Sequence, residues 1–232
     1  MAIAREVAAE NNPRLRSGLL AMGALYTGDL ATAQQLLDQR LAEVERSGPV
    51  NEALAEVWFY QFLVQHADGD EAGMRRTLKE LRRLTRDTQS TLSVDVAIAE
   101  AYLLCWEGDP AGAVARFESA RPKSRTFSFD NAEILVIEGL TSCLVENRQW
   151  SAVLDHLQPE RLRAAIPPSS YGLLLVRLPL RRARALAALG RQYEALEAYR
   201  ELLDQLMDAD EDFPYLIAAR NEYQHLRGQV VN

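Results

Sequence analysis

The sequence is short of nearly every residue pattern that carries chemistry. It has three histidines, His66, His156 and His225, and none stands at metal-ligand spacing from another histidine, a cysteine or a glutamate. Surface or packing roles account for all three. No GxxxxGK[ST] or GxGxxG loop is there to cradle a phosphate, and no GxSxG elbow presents a nucleophile. Ser169 and Ser170 lie in a proline-rich stretch with nothing beside them to activate a hydroxyl. Asp208, Asp210 and Asp212 begin like a calcium loop, but Phe213 and Ala219 stand where such a loop needs a glycine and a bidentate glutamate. With no visible set of acid, base and nucleophile, the expectation is a non-enzyme that carries no cofactor and no metal.

Cysteine is scarce as well. Cys105 and Cys143 each sit inside an apolar run, and a disulfide framework needs more cysteines in a shorter chain, so two buried thiols are expected. No Asn-x-Ser/Thr sequon occurs. Excess positive charge is missing: the net charge is −7 over 232 residues. That argues against a general nucleic-acid binder, which needs a basic face to displace counterions, and favours a neutral or locally basic partner. Long apolar runs are missing too. The uncharged stretch from Ser17 to Gly28 is too short to cross a bilayer, and the first residues carry Arg5, Glu6 and Glu10 where a signal peptide would be apolar. The expectation is a chain with no membrane segment, cytoplasmic by default.

What the sequence does have is hydrophobic residues, at 48%, enough to bury a core, and an internal repeat. Five segments align: GDLATAQQLL from Gly28, GDEAGMRRTL from Gly69, GDPAGAVARF from Gly108, NRQWSAVLDH from Asn147 and GRQYEALEAY from Gly190. Their leading residues are 41, 39, 39 and 43 positions apart. Each follows an apolar stretch of helical period, such as Leu15, Leu19, Met22 and Leu25, or Val94, Ile98, Ala101 and Leu104. The pattern predicts a helix hairpin. Gly or Asn ends one helix in a left-handed conformation, and Asp29, Asp70 or Asp109 caps the next. Five positions past the turn comes a small residue (Ala33, Ala113, Ala152, Ala195, with Met74 the exception). Four further comes a larger one (Leu37, Leu78, Phe117, Tyr199, with His156 the weak copy). Small then large, one turn apart, lets two helices approach and lock. Breakers at Gly48-Pro49, Pro122 and Ile166-Pro167-Pro168 separate the units, and no segment alternates as a strand would.

The block resembles tetratricopeptide repeats. Trp58 falls eleven residues before Gly69, at that family's tryptophan position. Ala21, Ala101 and Ala183 fall at its small position, seven before the turn, while Phe62 and Leu140 depart from it. Tyr193 stands near the family's turn tyrosine. The resemblance implies an all-α, right-handed superhelical solenoid of about five hairpins over residues 1–232. The units are expected at about 13–47, 51–87, 91–121, 130–165 and 169–208, with a capping helix at 214–228. The units exceed the family's usual length, so longer helices or loops are expected. The C-terminal stretch, from ALGRQYEALEAY to the last helix, is similar to the closing repeat of bacterial regulators that carry a serine/threonine kinase or winged-helix module. The kinase motifs themselves are absent.

The resemblance implies a protein- or peptide-binding scaffold whose concave groove is lined by the first helix of each pair. Counting back from the turns places Met22, Leu25, Phe59, Leu63, Ile98, Tyr102, Ile137, Thr141, Arg177 and Arg184 there, unless adjacent repeats cover that face and make several of them core. Arginines crowd two repeats: Arg75, Arg76, Arg82, Arg83 and Arg86 in one, and Arg177, Arg181, Arg182, Arg184 and Arg191 in another. They read either as a solvated face or as a basic lining for an acidic peptide. The alternative function is an effector-sensing regulatory region of a larger bacterial signalling protein. A homodimer through the end helices stays open. Pro214 is expected to open a last helix whose Leu216, Ala219, Tyr223 and Leu226 cover the open end of the array.

Overall fold

The computed structural model describes residues 13–47, 51–85, 92–120, 131–158 and 172–231. Gly48-Pro49, Pro122, Ile166-Pro167-Pro168, Ser169, Ser170 and Arg86 lie outside these residues. Among the described residues the chain is helix and turn only, in keeping with the lack of alternating patterns. The helices are α1 (Pro13–Thr27), α2 (Leu30–Ser47), α3 (Asn51–Asp68), α4 (Glu71–Thr85), α5 (Leu92–Trp106), α6 (Pro110–Ala120), α7 (Asn131–Glu146), α8 (Trp150–His156), α9 (Gly172–Ala188), α10 (Gln192–Gln205) and α11 (Pro214–Val231).

The chain gathers into two compact units, Ala2–Leu140 and Thr141–Asn232, with the division inside α7. The sequence reading expects one array. In the first unit α1 packs on α2 and α3, α3 on α4 and α5, and α5 on α6, while α2 and α4 also touch the helix that follows them. The first helices α1 and α3 thus each meet their own second helix and the first helix of the next pair. In the second unit α8 packs on α9, α9 on α10 and α11, and α10 on α11.

The turns within the pairs share one geometry. The glycines at 28, 69, 108 and 190 have φ of 88°, 78°, 81° and 73°, the left-handed region that a side chain resists. The backbone hydrogen bonds are those of a Schellman motif. At the first turn Gly28 N–H donates to Leu25 C=O at 3.1 Å and Asp29 N–H to Ala24 C=O at 2.9 Å. The carboxylates then cap the second helices as expected. Asp29 accepts from Thr32 N–H at 3.1 Å, Asp70 from Gly73 N–H at 2.8 Å and Asp109 from Gly112 N–H at 2.9 Å. Arg191, at the same place in the last pair, makes no side-chain cap.

The fourth turn corrects the alignment. The left-handed residue there is Arg148, at φ 56°, and not Asn147. Arg148 N–H donates to Val145 C=O at 2.9 Å and Gln149 N–H to Leu144 C=O at 2.8 Å, the same two bonds one residue later. Counted from Arg148, the turns are 41, 39, 40 and 42 residues apart. The position five past the turn is now Val153 in place of Ala152, and the large position is Leu157 in place of His156. Both are 0% exposed, whereas Ala152 and His156 are only half-buried. The position seven before the turn becomes Thr141, a smaller residue than Leu140. All five copies then place buried residues at the same three positions: Ala33, Met74, Ala113, Val153 and Ala195; Leu37, Leu78, Phe117, Leu157 and Tyr199; Ala21, Phe62, Ala101, Thr141 and Ala183. This recurrence, more than any single contact, is why the helices pair where they do.

Polar side chains tie neighbouring helices at the edges of these cores. Gln34 and Gln61 exchange two amide hydrogen bonds, at 3.0 and 2.6 Å, between α2 and α3. Thr77 on α4 donates to Gln65 Oε1 on α3 at 2.8 Å. Glu100 on α5 takes Arg82 from α4 at 2.8 Å and Arg116 from α6 at 2.5 Å. Gly139 lets α7 come close, because a Cβ there would lie 2.5 Å from the Phe117 ring. Cys105 and Cys143 are buried as expected, but neither is a free thiol, for both are disulfide-bonded. The expectation of two thiols rested on cysteine number and chain length, and neither measures the Cβ separation that decides pairing.

Pro214 opens α11 as expected. Its buried stripe is Leu216, Ala219 and Leu226, with Tyr223 half-buried, and it joins the cluster formed by Leu180, Ala183, Leu186, Ala195, Ala198, Tyr199, Leu202 and Leu206.

Candidate interaction site

The ten residues assigned to a groove divide by chemistry. Met22, Leu25, Phe59, Leu63, Ile98, Tyr102, Ile137 and Thr141 are all less than 9% exposed. They fill the spaces between helices, which is the core reading of that face. Only Arg177, half-buried, and Arg184 reach the surface.

Around Tyr102 the rings make a continuous cluster. Its ring lies 5.4 Å from Phe117, edge-on, 6.4 Å from Phe62 and 4.6 Å from His66, and His66 lies 6.2 Å from Trp106. Burial among these rings pulls His66 down to about 4, so it is neutral at physiological pH. Trp106 is 43% exposed, and its indole N–H reaches Glu71 Oε2 at 3.4 Å. That carboxyl is held below its ordinary value first by Arg75 and then by this indole.

Six of the crowded arginines are matched by carboxylates of the chain itself. Arg75 lies 2.9 Å from Glu71 and 2.7 Å from Glu107. Arg76 lies 3.8 Å from Asp70, Arg82 2.8 Å from Glu100 and Arg83 2.9 Å from Glu80. Arg191 lies 2.5 Å from Glu194. Arg181, 9% exposed, donates to the buried Thr141 hydroxyl at 2.6 Å. Burial raises the Glu146 carboxyl, with Arg181 opposing. Arg184 is gripped by Glu222 of α11. Most of the described arginines in the two clusters are therefore already held by carboxylates of this chain.

A different face is left over. On α10 the core side is Ala195, Ala198, Tyr199 and Leu202. The opposite side exposes Tyr193, and the turn after it exposes Met207. Sequence reasoning noted Tyr193 only as a turn residue. The pattern that could have found this face is the apolar series 193, 196, 203 and 207 running beside the acidic series 197, 201, 204 and 208. Among the described residues no group of three or more His, Cys, Asp or Glu side chains could hold a metal, and no helix is long and apolar enough to cross a membrane.

Comparison with known proteins gives one informative likeness. No family model matches the chain, and no solved structure matches it. A curated relative, the cargo-transport protein YPP1 of Eremothecium gossypii, is 30% identical over 111 residues, which is 46% of this chain and 14% of the relative. The chain thus spans about one-seventh of that fungal protein's length. Nothing in these findings supports the bacterial regulator alternative.

Proposed function

We propose that the chain is a protein-binding adaptor built as a solenoid of five tetratricopeptide-like hairpins, with α11 as its terminal cap. The observation that carries the reading is the fivefold recurrence of one turn: a left-handed residue at 28, 69, 108, 148 and 190, with the same Schellman bonds and the same buried positions around each. Units of this kind cannot bury their apolar faces alone. They stack, and they leave long runs of helix surface free for partners. The likeness to a cargo-transport protein supports a role in holding other polypeptides. The matched arginine charges favour surfaces other than a basic groove. A non-enzymatic role rests on the sequence, which offers no acid, base and nucleophile together.

Affinity capture tests this. The purified full chain and a heat-denatured sample of it are presented to an extract under mild cross-linking, and the bound proteins are quantified. A small set enriched on the folded chain alone is the expected result. Equal capture by folded and denatured chain would overturn the reading.

A further inference from the structure

We propose that the outward face of α10 is a docking surface for a basic amphipathic segment of a partner protein. This deepens the adaptor reading and rests on it.

Along α10 each residue advances the helix by about 100°. With Ala195, Ala198, Tyr199 and Leu202 turned into the core, the next sector holds Leu196 and Leu203, both half-buried at the core edge. Beyond them are Tyr193, 78% exposed, and Met207, 74% exposed, the two most exposed large hydrophobics among the described residues. Single exposed apolar residues need no explanation. Here Tyr193 and Met207 continue the half-buried edge of Leu196 and Leu203 into one apolar stripe, at spacings of three, seven and four residues, whose outer part is exposed. On α10 the stripe runs from Tyr193 to Leu203 for about 15 Å, roughly three turns of a partner helix, and Met207 extends it from the turn beyond.

The flank of the stripe selects the occupant. Glu197, Glu201, Asp204 and Asp208 are exposed and follow one another at steps of four, three and four. None of them makes an ion pair among the described residues. Elsewhere the exposed Glu71 and Glu107 and the half-buried Glu100 and Glu222 each hold an arginine. Here a row of negative charge lies beside apolar surface and is left unmatched. Lys or Arg side chains on the edge of an incoming apolar helix complete it, with the stems lying over Tyr193 and Met207. Two copies of this face repel each other, as would an anionic lipid surface or a nucleic acid. Arg200, in the middle of the stripe, calls for one acceptor in the partner.

The probe is a synthetic 18-residue amphipathic peptide with a leucine stripe flanked by lysines, set against a twin flanked by glutamates. The full chain is compared with two surface variants, Tyr193→Ser/Met207→Ser and Glu197→Lys/Glu201→Lys/Asp204→Lys, whose melting temperatures establish that they fold. Fluorescence anisotropy should show binding of the lysine peptide that weakens as salt rises. Each variant should lose at least about tenfold in affinity, equivalent to about 1.4 kcal/mol. The charge-reversed variant should take the glutamate peptide instead. Binding of the lysine peptide that is absent, or unchanged in both variants, overturns the proposal. So does self-association of the parent chain that Tyr193→Ser/Met207→Ser abolishes, which would give the face to a second copy. In the capture experiment, partners retained by both variants sink this proposal and leave the adaptor reading standing. Capture of no specific partner by the parent chain sinks the adaptor reading itself.

Discussion

Arg184 on α9 holds Glu222 on α11 in a two-point grip: Nε to Oε2 at 2.9 Å and Nη2 to Oε1 at 2.6 Å. Tyr199 on α10 donates its hydroxyl to the same Oε2 at 2.8 Å. Three helices therefore share one carboxylate. Burial pushes that carboxyl up, but the hydrogen bonds from Arg184 and Tyr199 and the Arg184 charge outweigh it, and Glu222 titrates below its ordinary range. The pair is half-exposed, so its worth is modest. Arg184→Ala should lower stability by about 1 kcal/mol, and a double-mutant cycle with Glu222→Ala should give a coupling of about 0.5–1 kcal/mol. Independent effects of the two substitutions in denaturant melts would mean that the grip contributes nothing.

The helix carrying Glu222 also buries Leu216, Ala219 and Leu226. Each large buried side chain contributes about 1.5–3 kcal/mol. Deleting the chain from Asp212 onward should therefore lower the melting temperature and promote association through the bared faces of α9 and α10. Helical content per residue should stay nearly constant, since among the described residues α11 packs mainly on those two helices. A truncated chain that melts like its parent and stays monomeric would make α11 a free appendage.

The turns give an opposed pair of substitutions. A Cβ at Gly28, Gly108 or Gly190 would meet no atom within 4 Å, so Gly→Ala there tests conformation alone. Each should cost about 1–2 kcal/mol, the penalty of a left-handed backbone. Arg148 already bears that penalty at φ 56°. Arg148→Gly should therefore stabilise the chain by up to about 1 kcal/mol, the gain being reduced by the extra freedom of glycine in the unfolded chain. Thermal melts of the four variants read both signs. Destabilisation by Arg148→Gly would contradict the assignment of the turn.

His66 gives a pH signature. Burial holds it at about 4 in the folded chain, against an ordinary value of 6.5. Between those values the unfolded chain binds a proton that the folded chain does not, so stability falls as the pH drops from about 6.5 toward about 4. Above that window the His66 contribution is constant. The loss amounts to about 3 kcal/mol. His66→Phe should remove that slope from the difference between variant and parent measured by denaturant unfolding. Parallel pH profiles would show that His66 is charged in place.

Much of the fold could be read because period and turn chemistry agree. Gly-Asp after an apolar helical run gives both the left-handed stop and the cap of the next helix, as at Gly28-Asp29 and Gly108-Asp109. The reading slipped by one residue at the fourth turn, where no glycine marks the stop and Asn147, itself tolerant of left-handed backbone, stands next to the residue that adopts it. The groove was the least legible feature. Counting back from a turn gives the face of a helix, but an apolar face is apolar whether it meets solvent or the next helix. Ile98 and Phe59 turned out to meet helices. Charge composition likewise could not show that Arg184 already has Glu222.

The central claim is that this chain holds another polypeptide, and an equilibrium titration tests it most directly. The partner most enriched in the capture experiment is made recombinantly and titrated against the purified full chain by calorimetry. Saturable binding in the micromolar range or tighter, about −8 kcal/mol or more favourable, is the predicted result. No saturation up to about 1 mM, where binding is weaker than about −4 kcal/mol, would contradict it.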